Sequence, residues 1–300
     1  MAQNKRRKPK KDRRKSGATG SRNPQAHLVR SPKTALKPLL ALMREVAVTG
    51  ERTLWATPDP TDRMVRFDTQ ILLRGTNSVK AVGVLLENGY WEHAVGVVRQ
   101  LFELLVNMEY LAKQESRLDG MLLFARYGML QMILAQHRRM SYDKDTGRPI
   151  DDEFFTQLEW HMQNDFTDFR ANTKDGSVKW VSSWCRRTTF DLAAASSDPM
   201  RKHQYNILYR VWSEEAHAAP GALISNIFQD SDDDDWVEKT VAENEHRSRD
   251  AGIFAVTFFL ALWVQLPHIE SSVTQIQGWL QALSDMHGGP QLPLPPKAAV

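Results

Sequence analysis

From Leu39 onward the apolar residues recur at intervals of three and four, and this period constrains the fold more than any other feature of the chain. The clearest stretch runs from Trp91 to about Lys113. There Ala94, Val98, Leu101, Phe102, Leu105, Met108 and Leu111 fall on one side of an α-helix. A helix from Asp62 to about Glu87 precedes it, with Pro60 as a start signal and Asn88-Gly89 as a stop. Leu39, Leu40, Met43, Val46 and Ala47 make a shorter stripe. Further helices are predicted near 118–139, 152–170, 177–195, 199–216, 236–266 and 270–286. Gly147-Arg148-Pro149 breaks the chain, and Asp151-Asp152-Glu153 place acids at the next N-terminus, where the helix dipole favours them. No strand pair with a tight hairpin signal, no internal repeat and no glycine-rich phosphate loop is evident. The sequence therefore predicts an all-α, multi-helix bundle over residues 39–286.

One segment tests that reading. Ala251–Leu266 is 16 uncharged, mostly apolar residues ended by Pro267-His268. A membrane-spanning helix needs about 20. A helix that is apolar all round and too short to span belongs at the centre of a bundle, so no membrane is expected.

The formal net charge of +3 conceals two opposed parts. Residues 1–38 carry 13 Lys/Arg against a single acid, Asp12, and the remainder carries a net excess of nine acids. The basic run is Lys5, Arg6, Arg7, Lys8, Lys10, Lys11, Arg13, Arg14 and Lys15. It lacks aromatic residues and has few apolar ones, so burial cannot offset the entropy of ordering it, and a disordered tail is expected. No apolar segment of a secretory signal follows it. Such a run holds RNA or DNA through counterion release without reading sequence. Residues 287–300, with Pro290, Pro293, Pro295 and Pro296, form a Pro-rich C-terminal tail. The single cysteine, Cys185, excludes a disulfide framework and a cysteine-based zinc site, and a reducing cytoplasmic location follows as the expectation. Asp230 and Asp232–Asp235 lack the ligand alternation and central glycine of a calcium loop, and read as helix-start acids; no metal or cofactor is expected.

Chemistry is best placed at Tyr205–His217. In a regular helix Arg210, Ser213, Glu214 and His217 share one face. A guanidinium, a hydroxyl, a carboxylate and an imidazole on one stripe suit a crevice better than a core. An arginine followed after six residues by a histidine is similar to the pattern of the HEPN helical superfamily, which allows three spacer lengths up to six and many of whose members are metal-independent RNases. That resemblance implies His217 acting on the 2′-hydroxyl and Arg210 on the phosphate. Roughly two such matches arise by chance in a chain of this composition, and two are present, the other being Arg22/His27. Helical context and neighbours single out the first. Arg99 and Glu103, four apart on the apolar third helix, are expensive there unless paired. They read as a structural pair, or as partners of Arg210 and His217 across a shared crevice.

Three stretches, 71–113, 178–190 and 205–223, together resemble the bacterial helical family called domain of unknown function 5677. The positions that carry the likeness are Arg99, Glu103, Tyr110, Tyr205, Tyr209, Ser213 and His217. The resemblance implies a helical fold over roughly 62–265 and no established activity. Two readings follow. In one, the chain is a nucleic-acid-directed protein, most concretely a metal-independent endoribonuclease or toxin-like defence module. It would use Arg99, Glu103, Arg210, Ser213 and His217, hold substrate with its basic tail, and form its site across a homodimer. In the other it is a non-catalytic helical binding or interaction module whose polar residues form a structural network.

Overall fold

The computed structural model describes residues 36–57, 61–172, 178–212 and 234–287, all within one unit spanning 31–300. Helix α1 (Lys37–Ala56) starts with Pro38 in its first turn, where a missing N–H costs nothing. The Asp62 carboxylate accepts the Met64 N–H at 2.6 Å and opens α2 (Arg63–Glu87). Gly89, at φ 77, turns the chain into α3 (Trp91–Leu111). Its N–H donates to Leu86 O at 3.1 Å while the Tyr90 N–H reaches Leu85 O at 2.8 Å, which closes α2 with a left-handed residue that glycine adopts freely. Ser116 caps α4 (Arg117–Asp145), and Asp151 caps α5 (Asp152–Asn164), as the acid-rich start of that segment predicts. Helices α6 (Thr189–Ala195), α7 (Met200–Asn206), α8 (Asp234–Val264) and α9 (Val273–His287) complete the helical set among the described residues.

The bundle is organised around α8, which packs along α3 and α2, with α1 laid on α2. Phe258, Phe259, Leu260 and Leu262 are fully buried, so the apolar segment 251–266 is the core helix its length predicts. Close approach is built in at Gly75 of α2: a Cβ there would lie 2.9 Å from Phe259 Cδ2 and 3.0 Å from Leu262 Cδ2. A smaller core of Leu130, Leu134, Phe166 and Phe169 joins α4 to the segment after α5.

Three corrections concern the elements. Where the periodicity predicts a helix over 177–195, the chain forms a short antiparallel pair, β1 (Arg170–Asn172) with β2 (Val178–Trp180), and only α6 is helical. The α5 helix ends at Asn164 instead of 170, and α4 continues to Asp145 instead of 139. The helix predicted over 199–216 is regular only to Asn206. It then widens into a π turn, Ile207–Val211, in which the Trp212 N–H donates to Ile207 O at 3.0 Å. The basic tail, the acidic knot at Asp230–Asp233 and the proline-rich residues 288–300 lie outside the described residues.

Candidate functional site

Arg99 and Glu103 stand one turn apart on α3, both half-buried. Each is engaged by Tyr209, from the π turn. The Tyr209 hydroxyl donates to Glu103 Oε1, and the Arg99 guanidinium carbon sits 4.2 Å from the centre of the Tyr209 ring. Tyr205 stacks on the other side of Tyr209, with centroids 4.5 Å apart and planes 9° from parallel, and Phe190 meets Tyr205 edge-on at 5.3 Å. The ring is therefore held between a cation and a second ring. Burial, and then the hydrogen bond and charge of Glu103, push the Tyr209 hydroxyl well above the ordinary tyrosine value, while Arg99 opposes this. At neutral pH Tyr209 is a fixed proton donor to a carboxylate and cannot serve as a base.

The structure thus brings Arg99 and Glu103 together, on Tyr209. Arg210 is exposed and follows Tyr209 within the π turn. The predicted stripe of Arg210, Ser213 and His217 starts within this i→i+5 turn. Ser213, Glu214 and His217 lie outside the described residues, as do Lys5, Arg6, Arg7, Lys8, Lys10, Lys11, Arg13, Arg14 and Lys15.

A second network was not legible in the sequence. Arg201, 2% exposed, donates from Nε to Glu109 Oε1 at 2.8 Å and from Nη1 to Gln204 Oε1 at 2.9 Å. Ser196 Oγ donates to the other Glu109 oxygen at 2.7 Å, and Asp198 lies 3.1 Å from Arg201 Nη1. The buried ion pair, with both Glu109 oxygens and two Arg201 nitrogens engaged, fastens α7 to the end of α3. Nearby, Tyr110 accepts from Arg187 Nε at 3.1 Å and packs edge-on against Trp184, whose indole N–H donates to Asn107 Oδ1 at 2.6 Å. Cys185 is half-buried beside them and reaches Ser183 Oγ at 3.9 Å. Among the described residues no cluster of three or more His, Cys, Asp or Glu is placed to hold a metal.

Comparison with known proteins identifies the region that carries the first two networks. A family described as "Family of unknown function (DUF5677)" matches residues 69–235, more than half of the chain. The chain belongs to this family. No curated protein and no solved structure matches it.

The DUF5677 match contains Arg99, Glu103, Glu109, Arg201, Tyr209 and Arg210, but of a third polar cluster it contains only Arg117 and leaves out Asp68 and His268. Asp68, fully buried on α2, accepts from Arg117 Nη2 at 2.6 Å and faces His268 Nδ1 at 2.8 Å. The His268 backbone N–H also donates to it, at 3.3 Å. A buried carboxylate beside Nδ1 fixes the imidazole so that Nδ1 carries its proton inward, leaving Nε2 as the other hydrogen-bonding atom. His268 lines a cavity of about 420 Å³ together with Arg52, Glu270, Gln275, Trp263 and Trp279. The partners Asp68 and His268 are 200 residues apart, and no local spacing signals them.

Proposed function

We propose that the chain is a non-catalytic helical binding module in which Arg99, Glu103 and Tyr209 form a structural network, and in which nucleic acid is engaged by the basic N-terminal residues. One observation carries this reading: Arg99 and Glu103 are both engaged by Tyr209, Glu103 by its hydroxyl and Arg99 by its ring. The Glu103 Oε1 that would orient a histidine is already taken by the Tyr209 hydroxyl. The net acidity of residues 39–300 points the same way, since it disfavours a polyanion on the body and leaves attraction to the basic run. The module is tested with the full chain and a variant lacking residues 1–38. The full chain should bind RNA with a steep salt dependence, and the truncated chain weakly with a shallow one. Equal affinity and equal salt slopes would overturn the assignment of binding to those residues.

A second reading, a metal-independent endoribonuclease, is favoured by the exposed Arg210 in a π turn, a distortion frequent at functional sites. In that reading Arg210 holds the scissile phosphate and His217 takes the 2′-hydroxyl proton, with Ser213 beside them. Glu103 and Arg99 then act only by positioning the turn through Tyr209. Cleavage of RNA in the presence of chelator, lost in His217→Ala and in Arg210→Ala, would establish it.

A further inference from the structure

Helix α4 is 29 residues long, yet only Gly120, Met121, Leu130, Leu134 and Met140 of it are buried. Its packed side faces α5 and the smaller core. Its other side is open and apolar: Leu118 is 46% exposed, Leu122 41%, Met129 57% and Met132 73%. Ala125 and Gly128 on the same side are exposed too. Among the described residues α4 is the one helix long and apolar enough to cross a membrane, and 22% of its apolar window is buried.

The spacing of the open side is specific. Leu118, Leu122, Ala125, Met129 and Met132 follow one another at steps of four, three, four and three. That alternation is the seam by which one helix packs knobs-into-holes against another. A lipid-facing helix needs no seam, and here the exposed Asp119 and Arg126 interrupt the apolar surface. The seam continues in register through Gln136 to Arg139 and spans about 21 Å from Leu118 to Met132.

We propose that α4 is a self-association surface that takes α4 of a second copy of this chain, antiparallel. Inverting the seam from Leu118 to Gln136 about its centre at position 127 sets Ala125 against Met129 of the partner subunit, a small side chain facing a large one. It also sets Leu122 against Met132 of the partner subunit. Gly128, beside that centre, has open space where a side chain would be and lets the two backbones approach. The ends complement each other in the same orientation. Exposed Glu115, just before α4, and exposed Asp119 in its first turn flank one end of the seam, and exposed Arg139 flanks the other, so antiparallel packing opposes acids to a base. Parallel packing would oppose like charges at both ends.

Sedimentation equilibrium of the full chain from about 1 to about 100 µM, a range that brackets a micromolar association, tests this. The wild type should pass from monomer toward dimer with rising concentration. Met129→Glu with Met132→Glu should weaken dimerisation at least about tenfold while the helical circular dichroism is unchanged. Swapping the acids alone (Glu115→Lys, Asp119→Lys) should also weaken it, and adding Arg139→Glu should restore it. These exposed positions keep the test open if the methionine variant misfolds. A wild type monomeric throughout, or dimers unaffected by the methionine variant, would overturn the surface. A half-swap that leaves association intact would overturn the antiparallel arrangement. Monomeric binding of α4 to phosphatidylcholine vesicles, abolished by the methionine variant, would overturn it in favour of a lipid surface.

Discussion

Tyr209 concentrates more of the candidate site than any other residue, because its hydroxyl holds Glu103 and its ring holds Arg99. Tyr209→Phe should remove one hydrogen bond and lower stability by about 1 kcal/mol in urea denaturation. The pH dependence has a definite sign. The hydroxyl titrates higher in the folded protein than in the unfolded chain, so its contribution is fully present below the ordinary tyrosine value of about 10 and fades as pH rises beyond it. Tyr209→Phe should therefore flatten the loss of stability between roughly pH 9 and pH 11; an unchanged alkaline slope would place the proton-linked loss elsewhere. Arg201→Met should cost about 3 kcal/mol, because Glu109 is left charged and buried. Adding Glu109→Leu should recover much of that loss, measured by the same titration. The sequence announced Arg99 and Glu103 as charges too costly to leave unpaired, and that much was legible. Their partner was not, since it sits on an element whose local geometry departs from the regular helix that spacing arguments assume.

At the scale of elements, the helices with explicit end signals were readable nearly to the residue. Asp62 and Asp151 cap α2 and α5, and Asn88-Gly89 closes α2, because capping is a local interaction between neighbours in sequence. Over 177–195 Trp180 and Trp184 sit one helical turn apart, yet Trp180 belongs to β2 and Trp184 precedes α6. Strands of three residues, Arg170–Asn172 and Val178–Trp180, are too short to show the alternation that marks a hairpin in the sequence. The π turn likewise has no local signal, and the Asp68–His268 pair joins distant positions. The crossing of α2 and α8 yields a prediction of its own. Gly75→Ala gains helix propensity but forces a methyl into Phe259 and Leu262, which have no room to yield. A net loss of about 1 to 2 kcal/mol is expected in thermal denaturation; stabilisation would mean that the helices separate at little cost.

At the scale of the molecule, the net charge of +3 sums a basic run and an acidic remainder, and the two parts predict different behaviour toward polyanions. The family match covers the α3–α7 network and reports no activity, so the geometry has to decide between a structural and a catalytic role. The most direct test is incubation of the purified full chain with single-stranded and structured RNAs in chelator, alongside His217→Ala. The account predicts that both proteins leave the RNAs intact while binding them with the same salt dependence. Cleavage by the wild type that His217→Ala abolishes would contradict it.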